Sequence, residues 1–269
     1  MLAGCGSSAA SSAAPAADSA ADSATTDTAA SADLLSQIRE RGTITVAMEG
    51  TWAPWTYHDE NDNLVGYDVE VATLIAEKLG VEPEFIEGEW DGLLAGLDAG
   101  RYDIMVNGVD ITPERAEKYD FSTPYAYNRT AVITKGDNDT INSLEDLKDK
   151  KTANTISSTY AQLAEQYGAD VTGVDDLNQT FELLNSGRID ATLNAEVTFY
   201  DYTKEHPDAN VKIAVLTQDA NEVAIPLRKG DETATLREAI NTAIDELRAS
   251  GQLKDLSEKY FGTDISSND

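Results

Sequence analysis

Arg115 lies in a local sequence that suits the binding of an anion. Thr112 can cap the amino terminus of a helix, and Pro113 fits the first helical position, which places Arg115 in the first turn. A guanidinium there can form two hydrogen bonds to one carboxylate, close to the free amides of the helix. A solvated surface arginine is the alternative, and helical spacing alone does not decide between the two.

Hydroxyl side chains before a second predicted helix also suit an anion. Ser157, Ser158 and Thr159 precede a helix that we expect to begin at Tyr160. The first backbone amides of a helix have no acceptor inside the helix and attract negative charge. One carboxylate could therefore be held by this helix and by Arg115 together. Ordinary capping of the helix by the hydroxyl groups is the alternative.

The chain contains three tryptophans, Trp52, Trp55 and Trp90, all in or beside predicted loops of its first half. Indole rings in such positions can form the walls of a pocket and stack against a small solute. For Trp90 the alternative is a side chain held by core contacts immediately before a helix N-cap at Asp91. The sequence alone thus allows both a pocket position and a core position for Trp90.

The elements that must position these residues follow an α/β pattern, because short β-branched segments alternate with amphipathic ones beyond the first 33 residues. The clearest predicted helix spans 66–79, where apolar side chains share one face and Gly80 ends the helix. Helical spacing recurs after Asp91, before Gly187 and over 236–247. The predicted strands span 43–47, 84–87, 103–106, 131–135, 152–156, 188–193, 211–215 and 222–227.

Composition excludes several classes of function. Twenty basic and 49 acidic side chains among 269 residues give a net charge of −29, which repels nucleic acid and anionic lipid. One Cys and two His cannot form an internal disulfide or a His/Cys zinc site, so we expect no metal and no cofactor. The catalytic motifs GxSxG and HExxH are absent, and His58 and His206 fall in hydrophilic loops. No apolar run approaches the ~20 residues of a membrane-spanning helix.

The first 33 residues differ sharply in composition from the rest. They are mostly Ala, Ser and Thr with four Asp and no basic residue, so we expect a disordered tether over 6–33. Residues 2–5, Leu-Ala-Gly-Cys, resemble a bacterial lipobox, in which Cys5 would be acylated after removal of the leader. An accidental Cys in a tail is the alternative. A charged and apolar signal leader does not precede the pattern, which suggests a truncated or misassigned start.

A series of short motifs runs in order through residues 34–262. The most specific pair is Thr-Pro-Glu-Arg at 112–115 followed by Asp-Phe-Ser-Thr-Pro-Tyr at 120–125. The other landmarks include Gly-Tyr-Asp-Val-Glu at 66–70, Trp-Asp-Gly-Leu at 90–93, Gly-Arg-Ile-Asp at 187–190 and Lys-Tyr-Phe-Gly at 259–262. In this order the motifs resemble those of the polar amino-acid-binding proteins of ABC importers, solute-binding protein family 3.

The resemblance implies an α/β, two-lobed periplasmic-binding-protein-like fold of type II with two hinge crossings. Lobe 1 would comprise 34–125 plus 223–269, lobe 2 would comprise 130–219, and the hinges would lie at 126–131 and 220–224. Such a protein closes around its ligand, and membrane permease subunits recognise the closed shape. We expect it to act as a monomer.

The resemblance also implies a set of ligand contacts in the cleft between the lobes. Arg115 matches the arginine that binds the ligand carboxylate, Glu49 matches a ligand-side acid, and Trp52 and Trp90 match aromatic walls of the side-chain pocket. The expected ligand-binding residues are Glu49, Trp52, Trp90, Asn107, Gly108, Asp110, Arg115, Thr155, Ser158, Thr159, Asn194 and Glu196.

One expected contact departs from the pattern of the family. The acid that binds the ligand ammonium in the family aligns with Ala195, so that role is either vacant or has moved to Asp110 or Glu196. Asp110 stands where the family usually has Thr or Ser, and Glu196 follows Ala195 directly. Glu196 can equally be a first-turn acid that stabilises its helix. We expect Asp110 to bind the ammonium, because its loop leads on to Arg115.

The sequence therefore predicts an extracytoplasmic binding protein, lipid-anchored through Cys5, that captures a polar α-amino acid for an ABC importer. The acidic cleft favours cystine, cysteine or a basic amino acid as ligand. The alternative is a dehydratase-type enzyme on the same fold, since a cleft with paired acids can also carry out acid–base chemistry.

Overall fold

The computed structural model describes residues 33–268, so Cys5 and almost all of the predicted tether lie outside the described residues. The helices of this range are α1 (Leu34–Arg41), α2 (Tyr67–Leu79), α3 (Trp90–Asp98), α4 (Pro113–Lys118), α5 (Thr159–Gln166), α6 (Leu177–Asn185), α7 (Glu196–Glu205), α8 (Asp231–Ala249) and α9 (Gln252–Phe261), with a 3₁₀ turn at Leu144–Leu147. The strands are β1 (Thr43–Met48), β2 (Thr51–Trp52), β3 (Thr56–His58), β4 (Leu64–Val65), β5 (Glu82–Glu87), β6 (Ile104–Met105), β7 (Tyr119–Phe121), β8 (Ala126–Asn128), β9 (Thr130–Lys135), β10 (Lys151–Asn154), β11 (Asp170–Gly173), β12 (Ala191–Ala195), β13 (Val211–Leu216), β14 (Asn221–Val223) and β15 (Pro226–Arg228).

The first lobe is built on a parallel sheet with β1 between β5 and β6. Ile44 and Val46 of the central strand are fully buried, as expected for a parallel strand covered on both faces. Helices α1, α2, α8 and α9 pack together, and Ile75, Ile240 and Ile244 join the same core. This packing fixes the end of β1, where Glu49 begins the first loop of the site.

The second lobe contains a five-stranded sheet in the order β11-β10-β12-β9-β13. The first three strands run parallel, while β9 pairs antiparallel with both of its neighbours. Along β9, Val132 and Ile133 point into different core clusters because successive side chains lie on opposite faces. The carboxyl ends of β10 and β12 carry Asn154 and Asn194 towards the first lobe.

Two neighbouring crossings connect the lobes. Strand β8 leaves the first lobe and pairs antiparallel with the returning strand β14, while β7 pairs with β15 on the first-lobe side. The predicted fold class, a two-lobed α/β structure with two crossings, is thereby confirmed. The lobe and hinge boundaries that we assigned from the sequence stay a prediction.

Several predicted elements differ from those observed. The strand expected over 222–227 is two strands, β14 and β15, which pair with different partners. Asp91 is not an N-cap, because α3 already begins at Trp90. Helix α5 begins one residue before the expected Tyr160, since the Ser158 hydroxyl accepts a hydrogen bond from the Ala161 amide at 3.1 Å. Strands β2, β3, β4, β7, β8 and β11 were not predicted, because they are short and lack a periodic apolar pattern.

Two negative findings concern residues 33–268. No helix in this range is both long and apolar enough to cross a bilayer. Within the same range, no three or more His, Cys, Asp or Glu side chains are grouped so that they could hold a metal ion.

Candidate functional site

A cavity lined by both lobes lies between them. The first lobe contributes Glu49, Trp52, Trp90, Gly108, Asp110 and Arg115, and the second lobe contributes Asn154, Thr155, Ser158, Thr159, Tyr160, Asp176, Leu177, Thr180 and Asn194. Ten of the twelve residues expected from the sequence thus line one cavity, and Asn107 and Glu196 do not.

Arg115 is positioned by the helix start that its sequence predicts. The Thr112 hydroxyl accepts a hydrogen bond from the Arg115 amide at 3.1 Å, and Pro113 is the first residue of α4. The side chain is 7% exposed, and Nη1 donates to the backbone oxygen of Asp110 at 3.0 Å. Its Cζ lies 5.3 Å from the centre of the Trp90 ring. Among residues 33–268 no carboxylate forms an ion pair with Arg115, so its charge is available to an anion.

Asp110 places a buried carboxylate on the loop that leads into α4. Its Oδ2 accepts hydrogen bonds from the Thr159 hydroxyl at 2.6 Å and from the Asn221 side-chain amide at 3.2 Å. Burial raises the pKa of Asp110 to about 6, although the Thr159 hydrogen bond and the charge of Arg115 oppose this rise. Because Thr159 belongs to the second lobe and Asn221 to a crossing strand, Asp110 contacts all three parts of the structure.

Glu49 follows the last residue of β1 and is held from behind by Asn107. The Asn107 side-chain amide donates to Glu49 Oε2 at 2.7 Å, and its Oδ1 accepts from the Glu49 amide at 2.8 Å. Burial raises the pKa of Glu49 to about 7, with smaller contributions from the charges of Asp176 and Asp91. Asn107, which we expected to line the site, is fully buried behind Glu49 and positions that side chain instead.

Two aromatic side chains form walls of the cavity. Trp52 stacks on the buried Trp55 with 5.2 Å between ring centres, and its Nε1 donates to Asn194 Oδ1 at 3.2 Å. Trp90 is buried below Arg115, and no acceptor among the described residues reaches its Nε1. Gly108 has φ +54°, and an added Cβ there would lie 2.5 Å from Trp52 Cζ3. A glycine is therefore needed where the chain passes Trp52.

The amino terminus of α5 lies at the opposite side of the cavity. The Ser158 side chain caps the helix, and Thr155 and Thr159 line the cavity on either side of it. Ser157 lies outside the lining, but its backbone oxygen accepts from Arg115 Nη2 at 3.4 Å. Both interpretations of the hydroxyl-rich segment therefore apply, since Ser158 caps the helix and the segment also borders the cavity.

Glu196 is placed outside the cavity, contrary to the expectation from its neighbour Ala195. Arg129 binds its carboxylate through two hydrogen bonds of 2.9 and 3.1 Å, and the Tyr200 hydroxyl donates to Oε1 at 3.1 Å. The Glu196 amide donates to the backbone oxygen of Arg129 at 2.9 Å, which fixes the residue beside the crossing. Asn194 lines the cavity and Glu196, two positions later at the start of α7, does not.

Five lining residues were missed from the sequence, namely Asn154, Tyr160, Asp176, Leu177 and Thr180. Asn154 ends a parallel strand, and sites in α/β folds lie at the carboxyl ends of such strands, so its position was a usable signal. Asp176 caps α6, with its Oδ1 accepting from the Gln179 amide at 3.0 Å. Nothing in the local sequence distinguishes this cap from a solvent-exposed one.

The lobes are in direct contact across the cleft. Hydrogen bonds between them join Trp52 with Asn194, Asp110 with Thr159, Arg115 with Ser157, and Asp91 with both the amide and the hydroxyl of Ser157. The structure therefore has the closed arrangement, with the cavity enclosed between the lobes.

The sequence model of the bacterial extracellular solute-binding proteins, family 3, matches residues 44–263. The chain belongs to this family. It is 40% identical to the L-cystine-binding protein TcyA of Bacillus subtilis (strain 168) over 241 residues, which cover 89% of each protein. This membership confirms the resemblance inferred from the ordered motifs.

Two solved structures are also similar to this family 3 protein. An ancestral arginine-binding protein bound to arginine matches with a TM-score of 0.77 and 39% identity, over 82% of this chain and 99% of that one. The unliganded, open L-cystine solute receptor of Neisseria gonorrhoeae matches with a TM-score of 0.60 and 41% identity, over 88% and 100%. The lower score against the open form at similar identity agrees with the closed arrangement of the lobes here.

Proposed function

We propose that the protein captures a polar α-amino acid in the cavity between its lobes and delivers it to the permease of an ABC importer. One observation carries this proposal: Asp110, on the loop before α4, and Arg115, in the first turn of α4, present a buried carboxylate and a buried cation five residues apart. These are the two charges that an amino-acid zwitterion requires. No bond needs to be made or broken, in line with the binding proteins to which the chain is related.

The carboxylate of the ligand binds Arg115. The guanidinium has no acidic partner among the described residues, and the Trp90 ring beneath it leaves its edge to a planar anion. The start of α5 faces the same cavity from the second lobe, where a carboxylate also gains from the free helix amides. A ligand bound to both therefore favours closure of the lobes.

The ammonium of the ligand binds Asp110. Burial raises the pKa of this carboxyl even though the charge of Arg115 opposes the rise, so an ammonium beside it further favours the ionised form and gains binding free energy. Glu196, the alternative from the sequence, is already paired with Arg129 outside the cavity. Cystine, cysteine and the basic amino acids all present the required zwitterion.

The protein acts outside the cytoplasm, as the family description indicates, and we propose attachment to the membrane through acylated Cys5 with 6–33 as spacer. Mass spectrometry of Cys5, in protein expressed with a natural leader, tests the anchor. An unmodified thiol in the membrane fraction would contradict it.

Thermal shift against the common amino acids tests the proposed function. A ligand at 100 times its dissociation constant stabilises the folded state by ~2.7 kcal/mol, which gives a clear shift. Arg115→Lys, which keeps the charge but loses the bidentate fork, should remove most of the shift. Arg188→Lys, at an exposed arginine outside the cavity, is the control and should retain it. Absence of a shift for every amino acid, or formation of a product from a bound one, would contradict the proposal.

A further inference from the structure

The cavity contains more acids than an amino-acid zwitterion requires. Glu49, Asp110 and Asp176 line it, whereas Arg115 is the only basic side chain among the described lining residues. If Arg115 binds the ligand carboxylate and Asp110 binds the ammonium, the other two acids are left without a cation. Two carboxylates in one partly desolvated cavity repel each other unless a positive charge lies between them.

The two remaining acids come from opposite lobes. Glu49 extends from the end of β1 and is fixed by its two hydrogen bonds to Asn107. Asp176 extends from the cap of α6, and the neighbouring Leu177 and Thr180 line the cavity with it. Glu49 and Asp176 line the same cavity, and the charge of Asp176 contributes to the raised pKa of Glu49.

A buried acceptor without a donor lies in the same cavity. Asn154 is 2% exposed, and its side-chain amide nitrogen donates to the backbone oxygen of Leu193 at 2.7 Å. That bond fixes the orientation of the amide, yet no described residue donates to its Oδ1. Leaving a buried acceptor unpaired is costly, so this oxygen suits an N–H group of a ligand. The Asn154 backbone oxygen accepts from the Val174 amide at 3.2 Å, which places Asn154 beside the segment that leads to Asp176.

We propose that Glu49 and Asp176 form a subsite for a second cationic group on the ligand, with Asn154 Oδ1 as a further acceptor. This inference rests on the proposed function and narrows it to α-amino acids whose side chain ends in an ammonium or guanidinium. Because each lobe supplies one acid, the cation is bound from both sides only when the cleft is closed. Cystine carries a second ammonium but also a second carboxylate, for which the described lining has no second basic residue. A basic amino acid is therefore the better ligand.

Titration calorimetry of the full chain with lysine and norleucine tests the subsite, since these ligands differ only in the terminal ammonium. Wild-type protein should bind lysine at least about tenfold more tightly than norleucine, and more tightly than cystine. Asp176→Asn keeps an acceptor for capping α6 but removes the charge. It should weaken lysine binding by about tenfold or more and leave norleucine binding unchanged. Asp175→Asn, one residue away on the exposed surface, is the control and should change neither.

Each other outcome has a definite meaning. If Asp176→Asn weakens both ligands equally, its role is structural and the subsite is wrong. If wild type binds norleucine or cystine as tightly as lysine, the subsite is wrong while the proposed function stands, provided that Arg115→Lys still abolishes binding. If no amino acid binds the wild-type protein, both the proposed function and the subsite fail.

Discussion

The two lobes present their sides of the cavity in different ways. In the first lobe two site residues have a buried residue behind them, since Asn107 binds Glu49 and Trp55 stacks on Trp52. The lining of the second lobe includes two helix caps, Ser158 and Asp176, whose side chains accept hydrogen bonds from the start of their own helices. The first lobe is therefore organised before the ligand arrives, and the second lobe completes the site on closure.

The largest expected effect comes from a substitution on the first-lobe side of the cavity. Asp110→Asn should weaken amino-acid binding by about 2 to 5 kcal/mol, because a buried ammonium would lose its ionic partner. Glu196→Gln is the control, since its carboxylate is bound by Arg129 outside the cavity, and it should cost clearly less. Calorimetry on both variants is the measurement. Near-wild-type affinity in Asp110→Asn would move the ammonium site elsewhere.

The packing that holds the Trp52 ring in the first lobe can be tested at Gly108. Gly108→Ala should lower the free energy of unfolding by about 1 to 3 kcal/mol, because its Cβ would collide with the Trp52 ring at a left-handed φ. Ligand affinity should fall as well, since Trp52 is a wall of the cavity. Gly92→Ala, where an added Cβ meets nothing within 4 Å, is the matched control. Urea unfolding and calorimetry measure both effects, and equal stability of the two variants would show that Trp52 is not held in place.

A pH titration tests the role of Glu49. The charges of Asp176 and Asp91 and the side-chain amide of Asn107 act on its carboxylate. Its pKa of about 7 means that a proton competes with a ligand cation as the pH falls through 7. Lysine affinity should therefore decrease between pH 8 and pH 6, by at most about 1.4 kcal/mol per pH unit.

Norleucine and Glu49→Gln supply the controls for this titration. Norleucine lacks the cation, so its affinity should vary much less over the same range, and Glu49→Gln should flatten the lysine curve above pH 6.5. A lysine curve that is flat in the wild-type protein would contradict a charged Glu49 in the subsite.

The smallest effect concerns the rim of the cleft, where the exposed Asp91 accepts hydrogen bonds from Ser157 of the second lobe. Asp91→Asn should favour the open form by at most about 1 kcal/mol, since exposed contacts are weak. Small-angle scattering without ligand should give a slightly larger radius of gyration, and saturating ligand should restore the wild-type value. Glu89→Gln, at a helix cap without a side-chain hydrogen bond, should leave the radius unchanged. A radius that ligand changes in neither variant would contradict closure.

Much of the fold and part of the site could be predicted because they depend on local patterns. The Thr-Pro start of α4 follows from capping preferences, and it correctly placed Arg115 in the first turn. The order of motifs predicted the two-lobed fold, whereas apolar periodicity alone predicts only an α/β fold of unspecified type.

The remaining site residues depend on contacts between distant segments. Asn107 and Glu49 are 58 residues apart, and only their pairing shows that one supports the other rather than the ligand. Asp176 joins the cavity because the lobes meet there, which no local pattern encodes. Glu196 lies outside the cavity because it begins α7 beside the crossing, where Arg129, 67 residues earlier in the chain, binds its carboxylate.

The hydrogen bond between Trp52 and Asn194, with the other direct contacts across the cleft, has a consequence for loading. These contacts stabilise the closed shape even without a ligand, and each ~1.4 kcal/mol of such stabilisation raises the ratio of closed to open molecules tenfold. A permease that senses closure alone would therefore meet some closed but empty molecules. A bound ligand adds its own contribution to the free energy of closing. The closed fractions of loaded and empty protein therefore differ more when the direct attraction between the lobes is weaker.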